Sequence, residues 1–537
     1  MQWFGVLLLI LTCAASAGAA PTGLDVGFEQ PSCAEGGIYP NRSVVWARVD
    51  PSALPGVARI RAIVCQSGQR SIASSVPAMP DKRVPVVDVS GLTGRVTIIV
   101  QAVDESGEVI GEWQGVREPA PPYPARLALS FPIRFFVNDD HCYYMVKVGD
   151  LDNDGRPDYL ITRGTVNQEA HDADGRLLWE YDDPKADFKD VGADSDVRIY
   201  DIDNDGANEA ILARRVDGIV CLCIVDGKTG EIKRRIPYPG IDKRKDRSSI
   251  NIANLTGKSR PSEILVSWDY TYIGAFDARL NLLWESSECL GHTPKAADVN
   301  GDGKDEVLCS TTLLDSDGKL LWSRPDLPKV RSLLTGAFEY HCADSPHIAE
   351  IDGNRSDGPE IFFSTGGWLL NSHGKALWGA EQRVIFGHHA DIGKVFAGRQ
   401  GTAIALLDWR DRGMADGQRV VSLLDCHGRT LWTKPSEWMI MGDWTGDGLN
   451  EVFLENGTIV SGDGRVLGEI PAFFANAVVC DLLGDMRDEI ALVSVSEQNK
   501  TARLEVHTNA KENRCPATSR KPERRSISTR TLNWTSY

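Results

Sequence analysis

One short pattern restricts this chain more than anything else in it. An apolar, strand-like run ends on a polar residue at Asp150, Asp201, Asn254, Asp298, Glu350, Asp391, Asp443 and Asp481, a return every 38 to 53 residues. A second signature falls between most of these points: DADGRLLWE at 172–180, DARLNLLWE at 277–285, DSDGKLLWS at 315–323, NSHGKALWG at 371–379 and DCHGRTLWT at 425–433. A turn followed by a Trp marks an outer hairpin. All-β units of ~40 to 50 residues with several strands each are the mark of a β-propeller, because one unit cannot bury its apolar face until its neighbours stack on it. Eight registers predict eight blades. Seven stays open, since the Asn254 and Asp391 units are degenerate and the last unit lacks the Trp hairpin.

The chain reads differently on either side of the repeat. Residues 24–117 hold short alternating runs, SVVWARV, ARIRAIV, VPVVDV and RVTIIVQAV, broken by Gly, Pro and Ser. They predict a small fibronectin- or immunoglobulin-like β-sandwich over 21–120. The proline-rich EPAPPYP at 118–124 is a stiff linker, and the propeller follows over 121–509. Residues 4–20, FGVLLLILTCAASAGAA, have the length and small-residue end of a signal peptide, with cleavage at Ala15-Ser16-Ala17 or Ala17-Gly18-Ala19. A signal peptide over 1–20 predicts a secreted or periplasmic protein; a short N-terminal anchor is the alternative. No later stretch reaches the ~20 apolar residues that cross a bilayer, so no membrane contact is expected after cleavage. The tail at 510–537 carries seven Lys or Arg against two Glu, either solvated or docked through Leu532-Asn533-Trp534. Twelve cysteines, one of them Cys13 in the signal, are too few for a disulfide-stapled fold, though Cys33 and Cys65 are a candidate pair.

Lys and Arg total 58 against 75 Asp and Glu, a net charge of −17. Such a balance excludes a nucleic-acid binder and an anionic membrane surface as partners. Much of the acid lies in the repeat. In Asp150-x-Asp152-x-Asp154-Gly155-x-x-Asp158, side-chain oxygens at alternate positions surround one point, Gly155 permits the tight turn, and Asp158 returns to close the shell. Hard oxygen donors in that number suit Ca²⁺. Asp201, Asp203, Asp205 and Glu209 repeat the set, as do Asp298, Asn300, Asp302 and Glu306, and more weakly Asp443, Thr445, Asp447 and Glu451. An EF-hand is excluded, because its twelfth position needs a Glu and here holds Ile161, Leu212, Cys309 or Leu454. Several calcium turns between strands are predicted, with metal-free acidic turns as the plain alternative. The Glu350 and Asp481 units are expected to have lost their ions.

The same register compares the strands leading into each turn. Three residues before the reference stand Lys147, Arg198, Asn251, Lys295, His347, His388, Ile440 and Val478. Alternate residues of a strand face opposite ways, so this set shares one orientation and, on innermost strands, converges near the axis. Slightly upstream lie His141, Tyr143, Tyr144, Asp194, Asp196, His292, His341 and Trp438. The functional reading is a pocket for an anionic ligand, with cations for its charge and aromatics for sugar faces. The plain reading is that the cations pair with carboxylates and close the channel. His141-Cys142, Cys289 with His292, and His341-Cys342 also offer zinc ligands, a minor reading beside buried thiols and satisfied histidines.

GHTPKAADVNGDGKDEVLCSTTLLDSDGKLLWS (291–323), VGDLDNDGRPDYLITR (148–163) and DVRIYDIDNDGANEAILARR (196–215) resemble the calcium-rich β-propeller rhamnogalacturonan lyases over roughly 127–507. The repeat alone also fits FG-GAP or VCBS-type propellers that bind cell-surface partners or acidic glycans without catalysis; the pairing of calcium turn with DGxxLW hairpin favours the lyases. The resemblance implies a secreted, monomeric enzyme that cuts an acidic polysaccharide by β-elimination. That chemistry needs a cation to neutralise the uronate carboxylate, a base for the C5 proton and a proton donor for the leaving oxygen. Arg198 or Lys147, with calcium as a Lewis acid, are assigned to neutralisation. Lys295, His292, His347 or His388 are assigned to proton abstraction, and Tyr143 or Tyr144 to the leaving group. His141, His341 and Trp438 complete the substrate-binding set.

Overall fold

A computed structural model of the chain describes residues 23–29, 44–66, 69–79, 84–88, 96–117, 122–136, 144–183, 194–241, 247–268, 272–287, 294–327, 329–331, 338–340, 346–380, 384, 386–409, 418–473, 477–496 and 499–511. These form strands and turns, with no helix among the described residues. The predicted signal peptide and almost all of the basic tail lie outside them. The chain divides into two compact units, Met1–Arg126 and Leu127–Tyr537.

The first unit holds two antiparallel sheets. Leu24–Glu29, Val44–Val49 and Val84–Asp88 form one, while Gln69–Pro77, Arg59–Gln66, Val96–Val103 and Val109–Arg117 form the other. Alternation decides which face is apolar: Val45, Ala47 and Val49 on one sheet and Ile60, Ala62, Val64, Val96, Ile98, Val100 and Ala102 on the other meet in a single core.

Among the described residues the second unit holds eight antiparallel sheets of four or more strands and a two-stranded one, Lys329–Arg331 with Phe338–Tyr340. The first strands of the eight are Met145–Gly149, Val197–Tyr200, Arg247–Ala253, Lys295–Ala297, Pro346–Ala349, Gly387–Gly393, Met439–Gly442 and Val478–Cys480. The third sheet gains a short parallel strand, Asp194–Ser195. The eighth takes its fourth strand, Ala125–Ile133, from the beginning of the unit. That strand fills the place of the hairpin missing from the last repeat. Each first strand packs on the first strand of the next sheet, and the eighth returns to the first.

Second strands such as Glu263–Trp268 and Ala403–Asp408 are buried on both faces, which explains their unbroken apolar runs. The cores therefore lie between sheets: Ile211, Leu222 and Ile224 of the second pack on Ile250, Ile264 and Val266 of the third. The Trp of each DGxxLW hairpin ties one sheet to the next. Trp179 Nε1 donates to Gly227 O at 2.7 Å, Trp284 to Ser316 O at 3.0 Å, Trp322 to Ser372 O at 3.1 Å, Trp378 to Cys426 O at 2.9 Å and Trp432 to Ser461 O at 3.2 Å.

Strand pairing corrects one register. Lys147 faces Leu160, Arg198 faces Ile211, Asn251 faces Leu265, Lys295 faces Leu308 and His347 faces Phe362, each two residues past the carboxylate that opens the second strand. In the sixth sheet Gly393 faces Ala403 and Asp391 faces Ala405. Lys394 therefore stands at the turn, and Asp391 takes the place expected for His388.

Candidate functional site

Seven of the eight sheets share one turn geometry between first and second strands. The carboxylate that opens the second strand folds one oxygen back to accept a backbone N–H: Leu151 N to Asp158 at 2.7 Å, Ile202 N to Glu209 at 3.0 Å, Leu255 N to Glu263 at 2.9 Å and Val299 N to Glu306 at 2.8 Å. Ile351 N to Glu360 at 2.7 Å, Trp444 N to Glu451 at 2.8 Å and Leu482 N to Glu489 at 2.9 Å complete the series. The second oxygen takes various partners: Glu263 Oε1 accepts from Thr256 Oγ1 and Lys258 Nζ, both at 3.0 Å, and Glu489 Oε1 from Thr508 Oγ1 at 2.8 Å.

In the first turn that arrangement fits a hard cation. One oxygen from each of Asp150, Asp152 and Asp158 lies within 4.8 Å of the others. Asp150 Oδ1 and Asp158 Oδ1 are buried without a hydrogen-bond partner, a costly state that an ion relieves. Burial pushes the Asp158 carboxyl up to about 7. Asp154 Oδ1 caps Arg156 N at 2.8 Å. In the second turn Asp201, Asp203 and Glu209 also converge, but Lys233 Nζ stands 2.9 Å from Asp205 and 3.0 Å from Asp203.

The fourth turn is held by its own amide: Asn300 Nδ2 donates to Glu306 Oε1 at 2.7 Å, and Asp298 and Asp302 cap backbone N–H groups. In the seventh, burial pushes Asp443 to about 6 and Glu451 to about 8, with Asp447 adding repulsion. The Glu350 and Asp481 units, expected to have lost their ions, keep three carboxylates close together. Glu350, Asp352 and Glu360 converge, as do Asp481, Asp485 and Glu489, because the turn geometry survives the loss of the sequence pattern.

The first strands bring together a second group. Lys147 Nζ lies 3.3 Å and Arg198 Nη1 2.5 Å from the same oxygen, Asp196 Oδ1. Arg198 Nε and Nη2 donate to Asn251 Oδ1 at 3.3 and 2.9 Å. Lys295 feels Arg198, Asp196, Lys147 and Asp391; burial, and then the Arg198 charge, bring its amine down to about 7. His347 and His389 are held low by burial and by Lys295, His389 at about 3, so both imidazoles are neutral. Lys147, Asp196, Arg198, Asn251, Lys295, His347 and His389 are each at most 7% exposed. When Lys295 is neutral, Lys147 and Arg198 match Asp196 and Asp391; when it is protonated, the group carries one net positive charge.

Four predicted residues are thus placed together: Lys147, Arg198, Lys295 and His347. His388 falls at a register shift between Gly387 and His389 and stacks on Trp409 at 3.6 Å, so His389 takes the inward place instead. Trp438 is fully buried and stacks on His389 at 4.7 Å. Tyr144 does not join them. Its hydroxyl donates to Arg134 O and accepts from Phe136 N, both at 2.8 Å, within the core between the eighth and first sheets. His141, Tyr143, His292 and His341, and with them the zinc reading, lie outside the described residues. Asp391 and His389 were missed as site residues. Ala403, where the other second strands open on a carboxylate, was the signal that places them.

No protein-family model matches the chain. Over 296 residues it is 25% identical to the rhamnogalacturonan exolyase YesX of Bacillus subtilis (strain 168), covering 43% of this chain and 45% of that protein. Over 430 residues it is 25% identical to the rhamnogalacturonan endolyase YesW of the same organism, covering 64% of each. The matched stretches thus span 45% and 64% of the length of these curated relatives. Among solved structures, the Bacillus licheniformis rhamnogalacturonan lyase PL11 superposes with a TM-score of 0.51 at 19% identity, over 89% of this chain and 91% of that one. The chain is therefore similar in sequence to rhamnogalacturonan lyases and shares the fold of one.

Proposed function

We propose that the protein is a secreted polysaccharide lyase that cleaves a uronate-containing, rhamnogalacturonan-like polysaccharide by β-elimination. The sequence similarity to an exolyase and an endolyase of that class carries this reading. The eight sheets are then the blades of an eight-bladed β-propeller, preceded by a small β-sandwich. The closed order of first strands and the Trp ties between sheets support it.

Lys295 is the base in this mechanism. As a neutral amine it can take the C5 proton of a uronate, whose acidity rises when the neighbouring carboxylate is neutralised. Once Lys295 has taken the proton, it and Lys147 and Arg198 outweigh Asp196 and Asp391 by one positive charge, which stabilises the electron density that develops on that carboxylate. Tyr143 remains the candidate that protonates the leaving oxygen, since the Tyr144 hydroxyl is engaged by backbone. Calcium, held by Asp150, Asp152 and Asp158, would supply charge compensation that fixes the turn following Lys147.

The second reading is a propeller that binds acidic glycans without cutting them. The pairing of both Lys147 and Arg198 with Asp196 weighs against catalysis by these cations, and in this reading the glycan is held by other groups. Incubation of the purified monomer with rhamnogalacturonan, ulvan and related polysaccharides decides between them. An unsaturated uronate absorbing in the ultraviolet is the expected product. Retained binding with no absorbance on any substrate establishes the binding module.

A further inference from the structure

The second acidic turn repeats the sequence of the first but not its electrostatics. Asp201, Asp203, Asp205 and Glu209 occupy the places of Asp150, Asp152, Asp154 and Asp158. One oxygen from each of Asp201, Asp203 and Glu209 still lies within 4.8 Å of the others. A lysine reaches into that set. Lys233 Nζ is 3.0 Å from Asp203 Oδ2, 2.9 Å from Asp205 Oδ2 and 2.5 Å from Glu209 Oε1. An ammonium has three donors, and here each meets a carboxylate. Arg260, from the turn of the third sheet, adds a 2.9 Å pair with Asp201 Oδ2 and a 2.7 Å bond to Asn204 Oδ1.

The first turn has no such neighbour. Among the described residues, no Lys or Arg pairs with Asp150, Asp152 or Asp158, and two of their buried oxygens have no hydrogen-bond partner, against one, Asp203 Oδ1, in the second turn. Half of the difference comes from a single hairpin position. Lys233 stands three residues after the hairpin glycine Gly230, where the other hairpins carry Leu178, Leu283, Leu321, Leu377, Leu431 and Leu467. A leucine there cannot compensate charge. A lysine on the same strand reaches across to the turn of its own sheet.

We propose that Lys233 is a tethered counter-ion that, with Arg260, closes the second turn without a metal, while the first turn depends on one. The two side chains bring two positive charges, the charge of one Ca²⁺. The inference rests on the proposed calcium reading of the first turn, and the test separates the two. Calcium per chain is measured by elemental analysis after equilibrium dialysis, alongside the melting temperature in calcium and in chelator, for the wild type and three variants. Lys233→Leu is expected to gain one calcium per chain and a larger calcium-dependent melting shift. Asp203→Asn is expected to leave the wild-type count unchanged. A folded Lys233→Leu protein with the wild-type count overturns the proposal, and so does the loss of one ion in Asp203→Asn, which decides the matter if the leucine variant does not fold. Asp158→Asn reports on the first turn alone: loss of one ion supports the calcium reading there, and an unchanged count removes it.

Discussion

Phe131 lies so close over Gly175 that a Cβ added to the glycine would fall 2.4 Å from the phenyl Cδ1. Phe131 belongs to Ala125–Ile133, the fourth strand of the eighth sheet, and Gly175 to the hairpin turn of the first. Elsewhere the same place over a hairpin glycine is taken by a Trp of the preceding sheet: Trp179 over Gly230, Trp284 over Gly318, Trp322 over Gly374, Trp378 over Gly428 and Trp432 over Gly464. The start of the unit thus completes the sheet that its end begins, and joins it to the first by the device used between the others.

Gly374→Ala tests that device. The glycine has φ +75°, a conformation that costs an L-residue about 1–2 kcal/mol, and its new Cβ would stand 2.9 Å from Trp322. A loss of about 2 kcal/mol is expected in urea unfolding. Trp322→Phe loses the 3.1 Å bond to Ser372 O and part of the indole that lies over Gly374, for a cost of about 1 kcal/mol from the bond plus the lost packing. An unchanged midpoint in Gly374→Ala would show that the glycine and ring are not held against each other.

Strand period and hairpin signature made the repeated sheets legible, because both follow from local chemistry: alternation, turn glycines and apolar runs. The sixth sheet was misread because its polar residue, Asp391, ends an apolar run as the turn residues do. Only its cross-strand partner, Ala405, shows that it belongs three positions inward. A shift of that size changes which His of the adjacent pair faces Lys295. Tyr144 was misassigned for another reason: aromatic residues near a site look alike in sequence whether their hydroxyl meets a ligand or a backbone carbonyl.

Met486 occupies the place of the second turn glycine in the eighth sheet, at φ +72° and 65% exposed. Its side chain gains little from packing while its backbone is strained. Met486→Gly should stabilise the fold by about 1 kcal/mol, the left-handed cost less the added freedom of glycine when unfolded. A lower melting temperature would mean that the methionine makes a contact worth more than the strain.

The Lys295 amine sits near 7, brought down first by burial and then by Arg198. If it is the base, kcat/KM must rise with pH through about 7, since only the neutral amine accepts a proton. Lys295→Met should abolish turnover. Stability also rises with pH, over the range above 7. The unfolded lysine holds its proton up to its ordinary value, so the folded state binds fewer protons between about 7 and that value, and the residue is most destabilising below 7. Lys295→Met should therefore melt higher than the wild type at pH 6. A variant that keeps activity with an unchanged pH profile rules out Lys295 as the base.

Calcium should stabilise the fold by mass action, by about 2.7 kcal/mol where the free ion is a hundredfold above its Kd for a single site. Chelation is expected to lower the melting temperature, and Asp158→Asn to reduce that difference, because Asp158 is fully buried with one oxygen unbonded. Identical melting curves with calcium and with chelator would leave these as metal-free acidic turns.

Asp196 links stability to chemistry in one side chain. Its Oδ1 meets both Lys147 and Arg198 at 5% exposure or less, so Asp196→Asn leaves two buried cations without their shared carboxylate. Removing one partner of a buried pair typically costs about 3–5 kcal/mol. The substitution also acts on Lys295, whose pKa Asp196 raises. Without that charge the amine is harder to protonate, and the ascending limb of kcat/KM should move to lower pH. A calcium-saturated variant that is still folded at the assay temperature separates the roles. Lower stability with a shifted limb places Asp196 beside a working base. Lower stability with an unmoved limb makes it a plug for the centre of the ring.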